Sequence, residues 1–215
     1  MWSSDSTLLR VCHDCASRAL KYLMDRDEEL RLVTALRAGD ETAFAPVYDA
    51  YRSRVFTFIL RLVQRRAIAE ELAQELWMRL AVRALSLRED TRLEPWLFTV
   101  ARNLCASYWR TRGVEGLQDT EQDELDRLPQ QASSPDRSAE SRELRAQLEH
   151  ALARVPLPYR EALLLVGVHE MTPATAATVC GISPEAMRKR LERARGMLAE
   201  EMRKTRHYRV IERQS

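Results

Sequence analysis

Glycine is scarce in this 215-residue chain, with six in all, and no alternating apolar–polar run of useful length appears. Leu, Ala, Arg and Glu dominate instead, so strands have little to build on and the composition reads as all-helical. No stretch of about eighteen apolar residues exists, which gives no candidate for a membrane span. The first twenty-odd residues lack the apolar core and cleavage site of a signal peptide. The four cysteines are irregularly spaced, which suits a reducing cytoplasm better than a disulfide scaffold. No phosphate-binding glycine loop is present, and His150, His169 and His207 follow no metal-ligand spacing. Apart from one cysteine pair, nothing supports an enzyme, a cofactor or a resident metal.

Charge of one sign is also lacking overall, with a formal net of +2. It is segregated, however. Between Gly113 and Glu143 nine acids face only Arg127, Arg137 and Arg142, a net of −6. The same stretch lacks periodicity and contains Gly, Gln, Ser and Pro, so residues 113–137 read as a flexible acidic linker. The segments on either side are correspondingly basic.

Two helical modules flank that linker. In the first (residues 25–112), Asp27–Arg37 reads as a short helix ending at Gly39. Phe44, Val47, Tyr48, Tyr51, Val55, Ile59 and Leu62 then recur at spacings of three and four. Leu72, Leu76 and Leu80 mark a third helix, and after a polar connection (Ser86–Arg92) Pro95 is expected to open a fourth. The second module (residues 138–206) begins with the stripe Leu144, Leu148, Leu152, Val155, is interrupted by Pro156 and Pro158, and continues as a helix over Tyr159–Val168. A tail is expected over 207–215. A linker of about 25 residues reaches about 85 Å when extended, enough to span two turns of B-DNA, about 70 Å.

Thr172 and Pro173, then Ser183 and Pro184, repeat one helix-start signal on either side of Cys180-Gly181-Ile182. This predicts a helix-turn-helix. In its second helix Met187, Leu191, Ala194 and Leu198 share one face. Arg188, Lys189, Arg190, Arg193 and Arg195 against Glu185 and Glu192 leave a net of +3. A basic helix presented by a short turn suits the DNA major groove. The segment Pro95–Arg112 has Arg102, Arg110 and Arg112, no acid, and interleaved Trp96, Asn103, Tyr108 and Trp109. Arginines hold phosphate and exposed aromatics stack on unpaired bases, the chemistry of melted DNA. Trp96 reads as core, whereas Trp109, off the main apolar stripe, reads as surface. Glu70, Glu71, Gln74, Glu75 and Arg79 form a polar face suited to solvation or helix docking.

Taken together, GDETAFAPVYDAYRSRVFTFILRLV, AEELAQELWMRLAVRAL and EPWLFTVARNLCASYWR resemble the promoter-melting domain of extracytoplasmic-function sigma factors. LEHALARVPLPYREALLLVGVHEMTPATAATVCGISPEAMRKRLERARGML resembles that family's second DNA-binding domain. The resemblance implies an alternative sigma factor that binds core RNA polymerase, directs it to promoter DNA and helps open the duplex. By position, Glu71, Gln74, Glu75 and Arg79 would dock on the polymerase clamp. Arg102, Asn103, Trp109 and Arg110 would handle the melted element. Arg188, Lys189, Glu192 and Arg193 would approach the upstream element. A sequestering anti-sigma protein and a cytoplasmic location follow from the same resemblance. Glu192 departs from the family pattern, and a glutamate in the groove accepts a hydrogen bond from cytosine, which points to an unusual upstream element.

Two other readings use fewer of these features. A dimeric helix-turn-helix regulator leaves the first module without a role, and the chain shows no dimerisation heptads. A zinc or thiol enzyme rests only on Cys12-His13-Asp14-Cys15. Residues 1–24 read more simply as an amino-terminal extension without metal, or as sequence upstream of a start at Met24. Cys12, His13 and Cys15 are the only metal or redox candidates there.

Overall fold

The computed structural model describes residues 24–112 and 139–212, with side chains placed over 24–112 and 143–205. Cys12, His13, Cys15 and the linker lie outside those residues. All regular structure among the described residues is helical.

Helix α1 (Arg26–Arg37) starts where Asp25 accepts the Arg26 N–H at 2.8 Å, and Asp27, Glu28 and Glu29 complement its positive end. Gly39, at φ +81°, turns the chain. Asp40 then caps a short 3-10 turn by accepting from the Thr42 N–H at 2.9 Å, and α2 (Phe44–Val63) follows. Helix α3 (Arg66–Arg83) leads through a second 3-10 turn (Ala84–Ser86) to α4 (Leu93–Arg112). Helices α2, α3 and α4 pack mutually around Phe58, Ile59, Leu62, Leu76, Leu80, Leu97 and Phe98, all fully buried.

Helix α4 begins two residues before Pro95, where the sequence placed its start. Glu29 of α1, itself buried, accepts the Leu93 N–H at 2.6 Å and so supplies a distant cap. Pro95 then sits in the first turn, where it sacrifices no helical hydrogen bond.

In the second module α5 (Ala139–Arg154) and α6 (Leu157–Leu163) lead into a π-helical segment, Leu164–Val168. The expected helix over Tyr159–Val168 is therefore a helix whose last turn is widened, a form seen often at functional sites. It ends at Glu170, a non-glycine residue at φ +56°. Helix α7 (Pro173–Cys180) is capped by Thr172, whose side chain accepts the Thr175 N–H at 3.1 Å, and it stops at Gly181, φ +66°. Helix α8 (Pro184–Glu212) begins where Ser183 accepts the Ala186 N–H at 3.1 Å. It continues through 207–212, where a tail was expected, and packs against α5, α6 and α7.

The two modules are not independent in this structure. α4 lies against α7 and α2 against α6, and one apolar cluster runs through both modules. Among the described residues, polar contacts across the seam include those of four first-module side chains. Arg61 pairs with Glu149, Gln64 Nε2 donates to the Ala153 carbonyl at 3.1 Å, Arg54 Nη2 donates to the His169 carbonyl at 3.0 Å, and Arg102 Nε meets Glu161 at 3.1 Å. A fifth residue, the buried Arg160, donates to carbonyls at the carboxyl ends of α2 (Arg61 at 3.3 Å, Leu62 at 3.5 Å) and of α5 (Ala153, and Val155 at 3.0 Å).

Candidate nucleic-acid and polymerase interfaces

On α8 the geometry follows from the helical period. Met187, Leu191 and Ala194 are buried against the module, and Leu198 is half-buried. That pins the opposite side outward, and Arg188, Lys189, Glu192 and Arg193 are all exposed. Lys189 pairs with Glu185 at 2.7 Å, a surface pair one turn apart that contributes little. Arg190 is half-buried and faces the Glu161 carboxylate. The four residues assigned to the upstream element thus share one solvent-facing surface opening just after the Gly181 turn, where a duplex has access.

On α3, Glu71, Gln74 and Arg79 are exposed and Glu75 is half-buried, with Arg79 Nε on Glu75 at 2.8 Å. Beside them runs an apolar stripe that sequence reasoning missed. Met78, Val82 and Leu85 are exposed, Val82 at 82%. They recur at four and three residues, off the buried Leu76–Leu80 stripe, and that second periodicity was the available signal. An exposed apolar stripe rimmed by charge is the form of a protein-docking face.

The residues assigned to melted DNA are less uniform. Asn103 and Arg110 are exposed. Arg102 is half-buried and held by Glu161 of the second module. Trp109 departs from the expected surface position. It is half-buried, stacked edge-on against Tyr108 with centroids 5.1 Å apart, and packed on the core. Its indole Nε1 is enclosed and meets no partner among the described residues. The neighbouring Tyr108 ring and the apolar cluster cover it. Trp96 is likewise half-buried against the core, as its neighbour Leu97 implies.

Glu161 is 3% exposed, and burial raises its pKa while Arg102 and Arg190 hold it down. The same pocket encloses Cys180, whose Sγ lies 4.0 Å from Glu161, and burial pushes that thiol up to about 11. Cys105 is also buried and shifted upward, by burial and then by Glu161. Both thiols are therefore poor nucleophiles. The two cysteines lie far apart in sequence, but α4 and α7 pack together and bring both toward one carboxylate. No cluster of three or more His, Cys, Asp or Glu with metal-binding geometry occurs among the described residues.

Comparison with known proteins decides the family. Residues 47–114 match the sigma-70 region 2 pattern and residues 145–198 the sigma-70 region 4 pattern. The ECF RNA polymerase sigma factor EcfG of Rhodopseudomonas palustris (strain TIE-1) is 35% identical over 163 residues, covering 72% of this chain and 86% of that protein. This chain belongs to the extracytoplasmic-function sigma factors. SigM of Bacillus subtilis (strain 168), an ECF sigma factor, is 32% identical over 153 residues, covering 71% of this chain and 90% of that protein. Among solved structures, the sigma factor RpoE of Bartonella quintana, crystallised with the anti-sigma factor NepR, aligns with a TM-score of 0.52 and 27% identity. The alignment covers 83% of this chain and 96% of that one. CnrH, solved with the cytosolic domain of CnrY, shares the fold at a TM-score of 0.60 and 19% identity, over 80% of this chain and 95% of its own.

This sigma factor is an initiation factor, not an enzyme, and directs RNA polymerase to promoters. Its fold is all-α, with region 2 in the first module and region 4 in the second. No helix of the described residues is long and apolar enough to cross a membrane.

Proposed function

We propose a division of labour among three surfaces of this cytoplasmic sigma factor. The first module, residues 25–112, docks on the polymerase through Glu71, Gln74, Glu75 and Arg79. Met78, Val82 and Leu85 supply the buried centre of that contact, with the charged residues as its rim. The second module, residues 138–206, reads the upstream element through Arg188, Lys189, Glu192 and Arg193. Arginine and lysine bind phosphate or guanine, and Glu192 accepts from a cytosine amino group. Arg102, Asn103, Trp109 and Arg110 grip the melted strand after the modules separate. The acidic segment 113–137 keeps them on one chain, and residues 1–24 precede them as an amino-terminal extension.

The observation that carries this reading is the simultaneous exposure of a basic face on α8 and an apolar, charge-rimmed face on α3. The solved relative with NepR supports an anti-sigma protein as a partner of this chain also.

Transcription from a promoter library by core polymerase, with and without the full chain, tests the reading. Promoter-specific transcripts should appear only with the chain and share one upstream sequence. Arg188→Ala or Arg193→Ala should abolish that sequence preference and leave polymerase binding intact. Loss of polymerase binding in either variant, with DNA recognition preserved, would overturn the assignment of α8.

A further inference from the structure

His169 serves none of the three surfaces, yet it stands at the centre of the seam between the modules. It follows the π-helical segment and is 5% exposed. Its ring reaches out of the second module between two phenylalanines of the first. The Phe98 centroid lies 4.7 Å away at an interplanar angle of 60°, and the Phe58 centroid lies 5.7 Å away at 78°. Its main-chain carbonyl accepts from Arg54 Nη2 at 3.0 Å, which fixes the ring's depth. The imidazole Nε2 meets no hydrogen-bond partner among the described residues.

The charges around it are unfavourable to a cation. From α2 come Arg54 and Arg61. From α4 comes Glu94, but Arg54 already engages it at 2.5 Å. α7 (Pro173–Cys180) contributes no charged side chain, and neither does the π segment. Glu170, the next residue, is exposed. Burial and the two guanidiniums hold the imidazole well below its ordinary pKa. Two phenyl faces attract an imidazolium, but that gain is smaller than the cost of an unpaired buried ion.

We propose that His169 is an acid-sensitive latch, whose neutral imidazole joins the two modules and whose protonation separates them. Separation breaks the Arg54 contact to the His169 carbonyl and releases Arg102 from Glu161. The latch itself requires no DNA role for Arg102; only its effect on promoter binding rests on the surfaces proposed above.

The sign follows from linkage. The closed form holds His169 neutral and binds fewer protons there than the open form, so acid favours opening. An exposed histidine titrates near about 6.5, so going from about pH 7.5 to about pH 5.5 multiplies the opening constant about tenfold. Glu161 works in the opposite sense. Its raised pKa means that the closed form takes up a proton more readily there, and acid favours closure. With His169 removed, the dependence is therefore flat or reversed.

Single-molecule energy transfer reads the open fraction directly. Dyes are placed on Ala67→Cys of α3 and Ala199→Cys of α8, both exposed, in a full chain with Cys12→Ser and Cys15→Ser. The open-to-closed ratio should rise over that pH interval, by at most about tenfold because Glu161 opposes His169. The same ratio in His169→Gln and in His169→Phe should stay level or fall. His169→Phe keeps a ring in the slot and so guards against simple misfolding of the glutamine variant. An unchanged ratio in the parent chain, or an equal rise in His169→Phe, overturns the proposal. Loss of far-ultraviolet helicity over the same interval would also overturn it, because unfolding rather than separation would then be the response. Opening without tighter binding of a single-stranded oligonucleotide would uphold the latch and refute the strand-binding role of Arg102.

Discussion

Arg160 offers a demanding test of how the two modules are held. Its guanidinium is buried at the carboxyl ends of two helices, one from each module. Those ends carry unpaired carbonyls and roughly −0.5 elementary charge each. One planar fork reaches both, and burial lowers its pKa only to about 10, so it stays charged at neutral pH. Arg160→Met keeps the aliphatic stem and leaves little cavity. What is lost is donation to the carbonyls of Ala153, Val155 and Arg61, and each orphaned buried acceptor costs about 1–3 kcal/mol. Relief from burying a guanidinium returns part of that sum. We expect a net loss of about 3 kcal/mol, a large share of ordinary domain stability. With a urea slope of about 2–3 kcal/mol/M, the unfolding midpoint should drop by about 1–1.5 M. Far-ultraviolet ellipticity and tryptophan fluorescence should both report it. In a chain carrying Trp2→Phe the remaining Trp77, Trp96 and Trp109 all lie in the first module, so the fluorescence shift shows that the effect crosses the seam. Arg160→Lys should recover less than half, because an ammonium reaches one helix end at a time. A midpoint for Arg160→Met within about 0.3 M of the parent chain, less than about 1 kcal/mol at that slope, would refute the reasoning. So would full recovery by lysine.

Other perturbations are simpler. Glu170→Gly relieves a side chain at φ +56° and should stabilise by about 1 kcal/mol, seen as a Tm about 2–4 °C higher. Thr172→Ala removes the cap of α7 and should cost about 1 kcal/mol in the same assay. Val82→Glu, at a position 82% exposed, should leave the unfolding free energy from urea titration within about 0.5 kcal/mol of the parent chain. It should weaken binding to core polymerase at least about tenfold in a competition assay, the loss of one well-placed anchor. Equal affinity would remove α3 from the docking surface.

What could be read from sequence was local. The Thr172-Pro173 and Ser183-Pro184 starts, the Gly181 stop and the Met187–Leu191–Ala194 stripe are short-range signals, and each sits where its residues imply. What could not be read was long-range and polar. A buried arginine, a buried glutamate and an unpartnered histidine all look like surface residues by type. Arg160 is inside because two helix ends converge there. Glu161 is inside because Arg102 meets it across fifty-nine residues of sequence. The start of α4 was misplaced for the same reason, since its cap is Glu29, sixty-four residues away. Trp109 lies off the main apolar stripe of α4, yet its ring packs edge-on against Tyr108 and on the core, a contact that the period of the helix does not announce.

That division between local and long-range signals bears on function. Each surface proposed for DNA or for docking lies chiefly on one helix, because binding a flat partner needs only one face with the right period and charge. The seam does not, because it depends on residues that several elements bring together: Phe58, Phe98, Arg54, Arg102, Glu161 and His169. The seam also treats the surfaces unequally. The basic face of α8 stays open while Arg102, midway along α4, is held by Glu161 across the seam. On the proposed assignment of these surfaces, a closed chain of this shape presents the α8 face before the Arg102 face. The order of events at a promoter would then be set by the energy of the seam, and variants that weaken it without touching either DNA face should shift that order alone.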